Sequence, residues 1–87
     1  MVSEEIIDYV WNINHNKFQK DKYDEISKKL HELVEEATSE DSKTSKEELL
    51  QICFDAIEFY SSTLLYLKDK EEEKFVEVLE EFQLLFG

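Results

Sequence analysis

The sequence predicts an all-α fold, a single-domain antiparallel four-helix bundle over residues 1–87 with its third helix central. Three observations carry that expectation. The chain has no proline and one glycine, Gly87, whereas strands joined by tight turns ordinarily use both. It contains no run of alternating β-branched residues, the signature of strands. Residues 49–67, LLQICFDAIEFYSSTLLYL, are nineteen consecutive positions carrying two charges, Asp55 and Glu58. At helical pitch Gln51, Asp55, Glu58 and Ser62 line up in one narrow wet stripe on a helix that is otherwise largely apolar. A helix of that profile belongs inside a bundle, sheathed by neighbours.

The first helix is expected over about 4–15, with Ser3 as N-cap and Glu4 and Glu5 favourably placed in the first turn. Ile6, Ile7, Val10, Trp11 and Ile13 form its apolar face. It fades in Asn12–Asn16, where asparagine side chains compete for the backbone, and Phe18 pins the connection to the core. The second helix, about 22–37, carries Tyr23, Ile26, Leu30, Leu33, Val34 and Ala37 on one stripe. It gives way to the polar loop Thr38–Thr44, which has no apolar anchor.

The third helix, about 46–67, opens on Ser45-Lys46-Glu47-Glu48, a capping box in which serine and glutamate satisfy each other's free amides. At 1.5 Å per residue it is about 33 Å long. Lys68-Asp69-Lys70 allows a tight reversal, with Asp69 as cap of a fourth helix over about 70–86 and Glu71–Glu73 at its positive end. Phe75, Val78, Leu79, Phe82, Leu85 and Phe86 recur at steps of three and four, and Gly87 suits a left-handed cap. Short connections imply antiparallel neighbours. The first helix is too short to cover the third, so Phe59, Leu65 or Tyr66 is expected to be exposed near one end, where a partner or a second copy would cover it.

Eighty-seven residues lie near the lower limit of what one unstapled core supports, but 41% hydrophobic residues and eleven aromatics make a real core. The net charge is −12 and all ten cations are lysines. That charge opposes approach to phosphates, and the absence of arginine removes the residue best suited to clamp them, so direct nucleic-acid binding is not expected. Lys17, Lys20, Lys22, Lys28 and Lys29 form the one basic cluster, read as a solvated helix junction rather than a lipid contact. Cys53 is alone and lies in the most apolar helix, which reads as a buried inert thiol. No signal segment is expected at the start of the chain, and the two acids within 49–67 argue against a membrane span. The expected location is the cytoplasm, with at most peripheral contact at the inner membrane face.

Catalytic, metal and cofactor sites are not expected. His15 and His31 fall on different elements, and the positions three residues before them are Asn12 and Lys28, not glutamates. The paired Glu-x-x-His of di-metal bundles is therefore missing. Neither a glycine-rich phosphate loop nor a nucleophile elbow is present. Two features suit binding to another protein. One is the carboxylate face of the fourth helix, Glu73, Glu77, Glu80 and Glu81, which is either a solubilising surface or an interface for a basic partner. The other is the stripe with Asp55 and Glu58, to which Tyr66 adds an aromatic near the helix end. No lysine lies between 46 and 68, so both acids are expected to reach solvent.

Glu5-Ile6-Ile7 leading to Tyr9, Lys22-Tyr23-Asp24-Glu25-Ile26 with Leu30 and Leu33, and Glu48-Leu49-Leu50 with Phe54, Phe59 and Tyr60 precede an acidic fourth helix. In this order the elements resemble the enterocin A-type immunity proteins of the pediocin-like bacteriocins. The resemblance spans most of the chain. It implies a four-helix bundle without enzymatic activity that acts in the cytoplasm and protects the producing cell when a bacteriocin engages a membrane sugar transporter. The chain departs from the family in being strongly acidic, and it is expected to stop at its fourth helix, without the specificity-determining tail. The alternative from charge alone is an acidic, antitoxin-like inhibitor occupying the basic site of a nuclease or other nucleic-acid enzyme.

Overall fold

The computed structural model describes residues 2–15, 18–41 and 43–86, without the side chains of Val2 and Phe86. Lys17 of the basic cluster, Asn16 and Ser42 of the connections, and the Gly87 cap lie outside the described residues. Four helices follow one another: α1 (Val2–His15), α2 (Lys20–Thr38), α3 (Lys46–Leu67) and α4 (Glu72–Phe86). Among the described residues there is no strand.

Each boundary has a local cause. Ser45 sits in extended backbone and its hydroxyl accepts from the Glu48 amide at 3.2 Å, which starts α3 as the capping motif predicts. The chain reverses through Lys68–Lys70, where the amides of Lys70 and Glu71 both return to the Leu67 carbonyl. The carbonyl of Glu71 then accepts from the Phe75 amide, so Glu71 rather than Asp69 occupies the N-terminal flank of α4. At the other end of the chain α1 already includes Val2 and Ser3. Ser3 is not a cap, because its hydroxyl is engaged with α3.

The helices run alternately up and down. Ser3 meets Asp55 and Tyr9 meets Thr63, so α1 and α3 are parallel. Lys29 of α2 reaches back to Glu5, near the start of α1, and the two are antiparallel. Tyr60 of α3 packs on Phe82, fifteen residues beyond Leu67, which sets α4 antiparallel to α3. The third helix touches all three others and is central in that sense.

Ile6, Tyr9 and Ile13 of α1, Tyr23, Ile26 and Leu30 of α2, Ala56, Phe59, Tyr60 and Leu67 of α3, and Val78 of α4 make the buried core. Its centre is aromatic. Phe59 lies 4.9 Å from the Tyr9 ring, 5.3 Å from Tyr23 in a stacked pair, and 4.9 Å edge-on to Tyr60, while Tyr60 lies 5.4 Å from Phe82. Offset and edge-on pairs of this kind add to the value of their burial. Each buried phenol finds a partner. Thr63 donates to the Phe59 carbonyl, so the Tyr9 hydroxyl donates to Thr63 at 2.8 Å. Among the described residues no buried side-chain polar atom is unsatisfied.

The molecule measures 41 × 24 × 18 Å. At interaxial spacings of about 10 Å, the two shorter dimensions fit three helices side by side and two layers deep. The side-chain contacts give the same arrangement. On α3, Asp55 faces α1, Phe59 faces α1 and α2, and Tyr60 reaches α2 and α4. Helices α1, α3 and α4 thus form a layer, and α2 covers one side of it.

Candidate protein-binding face

The other side of that layer is open, and the expected exposed stripe of α3 is corrected by it. Cylinders of equal width pack about six around one, so three neighbours cover roughly half the girth of a central helix. The open half runs through Leu50, Phe54, Ile57, Ser61 and Leu65, all exposed. This is the polar stripe Gln51, Asp55, Glu58, Ser62 displaced by one residue, a rotation of about 100°. Four large apolar side chains consequently face outward at 55% (Leu50), 61% (Phe54), 45% (Ile57) and 72% (Leu65) exposure.

Rotation is decided by what the opposite face buries. Turning the polar stripe outward would draw Phe59, Tyr60 and Thr63 out of the aromatic centre and away from Tyr9, Tyr23 and Ser27. Keeping them inside carries Asp55 inward, where it is 7% exposed. Asp55 accepts from the Ser3 hydroxyl at 2.7 Å and from the Gln51 amide at 2.9 Å. The expectation that Asp55 reaches solvent is therefore overturned: two neutral donors, one from α1 and one from a turn earlier in α3, replace water at its carboxylate.

Both flanking helices extend the open face. Ser3, which touches α3, is followed at steps of four by Ile7 and Trp11, 61% and 57% exposed. Trp11 stacks at 4.3 Å on His15 rather than entering the core. On α4, Phe82 packs against α3, Leu79 three residues earlier is half-buried, and Val76 three before that is 45% exposed. Glu5 of α1 and Glu81 of α4, by contrast, point toward α2. Single exposed apolar residues are ordinary, but a row spanning three adjacent helices is the pattern of an interaction surface.

The remaining sequence-predicted residues separate. Glu58 is exposed and lies along the edge of the stripe, one turn after Phe54. Glu73, Glu77 and Glu80 are exposed on α4. Glu81 does not belong to that surface. It is half-buried and accepts a short hydrogen bond from the Tyr23 hydroxyl and another, at 3.1 Å, from Ser27. Tyr66 is half-buried against Phe18, with the Lys70 ammonium 4.4 Å over its ring. Leu65 is exposed as expected, whereas Phe59 is fully buried. Cys53 is half-buried at the margin of the open face rather than enclosed.

Glu81 anchors a relay of hydroxyls. Ser27 spends its proton on Glu81, so the Tyr60 hydroxyl donates to Ser27 at 2.7 Å. His31 donates from Nδ1 to the Ser27 carbonyl at 2.8 Å, which assigns that nitrogen its proton. Burial pushes the phenols of Tyr9 and Tyr23 well above their usual range, the adjoining Glu81 carboxylate adding to the rise at Tyr23. Burial likewise pushes Tyr60 up to about 12, against the opposing bond to Ser27. These phenols bind helices together. On the surface, the hydrogen bond from Lys29 holds Glu5 below the usual carboxylate range, and the same bond raises Lys29. That pair is solvent-screened and contributes little.

A groove of about 320 Å³ lies between α1 and α2, lined by Glu5, Tyr9, Asn12, Lys22, Glu25 and Ile26 among others. One of its carboxylates, Glu5, is already committed to Lys29. Among the described residues no three of His, Cys, Asp and Glu converge as metal ligands, and no helix is long and apolar enough to cross a membrane. Comparison with family models, with curated proteins and with solved structures returned no match to this chain.

Proposed function

We propose that the chain is a non-catalytic protein-binding bundle and that the open face of α1, α3 and α4 is its working surface. The exposed row Leu50, Phe54, Ile57 and Leu65 carries this reading. The opposite face of α3 is satisfied inside the molecule, and the buried polar groups are consumed in holding helices together. Within that class the role we assign is bacteriocin immunity: protection of the producing cell through contact with a membrane transporter engaged by the bacteriocin. The order of the helices and the residues that carry the resemblance support it. The test is expression in bacteriocin-sensitive cells of the wild type and of a Phe54→Glu/Leu65→Glu variant. Glutamate suits an exposed helix, so the variant retains its fold. Protection by the wild type that the variant loses is the expected result. No gain of resistance to any bacteriocin tried would remove the immunity role.

A second reading rests on a separate observation, the exposed carboxylates Glu73, Glu77 and Glu80 of α4. They suit an inhibitor of a basic enzyme, whose binding would be fast and would weaken steeply with salt. Triple substitution of these residues by glutamine abolishes inhibition under this second reading, whereas Phe54→Glu/Leu65→Glu, which lies on α3, leaves such inhibition intact.

A further inference from the structure

The charges around the open face identify what it is built to receive. Its apolar row is edged by Glu58 on α3, by Glu4 beside Ile7 and Trp11 on α1, and by Glu72, Glu73 and Glu80 around Val76 on α4, all exposed. Cations stand at the two ends of α3, Lys46 before Leu50 and, after Leu65, Lys68 and Lys70, the last over the Tyr66 ring. Lys74 is turned the other way, over the Phe18 ring at 5.5 Å. The result is an apolar strip with acidic margins, running about 22 Å from Leu50 to Leu65 along the helix axis.

A second copy of the chain is a poor occupant. Pairing the strips would press two molecules of charge −12 together and bring the Glu58 carboxylates of both copies into one apolar seam. A neutral amphipathic helix would leave the acidic margins unpaired. Building on the reading that this face is the working surface, we propose that it receives a cationic amphipathic helix. The apolar stripe of that helix lies on Leu50, Phe54, Ile57 and Leu65, and its lysines or arginines reach the carboxylates on either side. Spacing at four, three and eight residues offers holes for side chains at the i, i+3/i+4 and i+7 positions of a partner about four turns long.

Trp11, the only tryptophan of the chain, lies on the wall of this face and reports its occupation. The experiment titrates the protein with a synthetic leucine–lysine peptide of about 16 residues patterned as an amphipathic helix. A scrambled peptide of the same composition and a leucine–glutamate helix serve as comparisons. The expected result is a blue shift of Trp11 emission, with the leucine–lysine helix binding at least tenfold more tightly than the scramble and the leucine–glutamate helix not binding. The Phe54→Glu/Leu65→Glu variant should bind the cationic helix at least tenfold more weakly. Added carboxylates would by charge alone strengthen the attraction, so such a loss isolates the apolar contact. Equal binding of helix and scramble overturns the proposal, as does undiminished binding by the variant. A wild-type dimer in sedimentation that the variant dissolves also overturns it, by showing a second copy on the face. Loss of cellular protection in the variant alongside any of those outcomes leaves the working-surface reading standing and removes only the cationic helix. Unimpaired protection removes the surface itself.

Discussion

Phe54 and Phe59 are five residues apart on one helix, and the orientation of α3 assigns them opposite fates. Phe59 is fully buried against Tyr9, Tyr23 and Tyr60, whereas Phe54 is 61% exposed. Truncating Phe59 to alanine removes three ring contacts and leaves a cavity enclosed by three helices, a loss of about 3–5 kcal/mol. For a domain of this size the total stability is on the order of 4–13 kcal/mol, so Phe59→Ala consumes a large share of it. Phe54→Ala removes little burial, and alanine is the better helix former by roughly 0.5 kcal/mol, so the change should be neutral or slightly stabilising. Urea unfolding followed by circular dichroism at 222 nm measures both. Should Phe59→Ala prove too unstable to give a native baseline, Phe59→Leu provides a milder loss, about 1 kcal/mol. Comparable losses at the two positions, or a larger one at Phe54, would mean that α3 is turned the other way, and the open apolar face would not exist.

Glu81→Ala should cost about 1–3 kcal/mol in the same urea assay, because the buried hydroxyl of Tyr23 loses its acceptor, while Glu80→Ala next to it should stay within about 0.5 kcal/mol. Equal effects would place Glu81 in solvent. The raised phenols make stability fall with alkali: below about pH 10 both folded and unfolded tyrosines are protonated, and above it the unfolded chain releases protons that the native state retains. The urea midpoint should therefore drop from pH 10 toward the Tyr60 value of about 12, with a shallower drop in Tyr60→Phe, and a flat profile would contradict the burial of these groups. Screening of the −12 charge should raise the unfolding midpoint between about 20 and 200 mM sodium chloride, and a midpoint that stays level or falls would show that carboxylate repulsion is not limiting.

The difference between the two faces of α3 also explains what the sequence left illegible. Hydrophobic pattern identifies the apolar residues of a helix but ranks a wet stripe outward by default, and here the default misplaces Asp55. A carboxylate is turned inward when donors converge on it, and Ser3 lies 52 positions away in the chain. Glu81 is the same case on α4: four glutamates look alike in sequence, and only the approach of Tyr23 and Ser27 separates one of them. The open face did leave a trace. Residues 49–67 are apolar around most of their circumference, and three neighbours cover only about half of it, so some of those side chains had to remain outside. Which ones depended on where α1 and α4 docked.

Helix number, the start of α3 at Ser45, the reversal at Lys68–Lys70 and the apolar members of α2 follow from local rules, since caps, turns and periodicity act within a few residues of each other. Helical phase does not follow from them. A rotation of one residue along α3 exchanges a polar stripe for an apolar one at no local cost. The balance is struck by contacts across the bundle: aromatic rings that stack around Phe59, and hydroxyls that reach Asp55 and Glu81 from other helices. Those contacts come into being when the four helices meet, and with them the surface that the molecule presents to a partner.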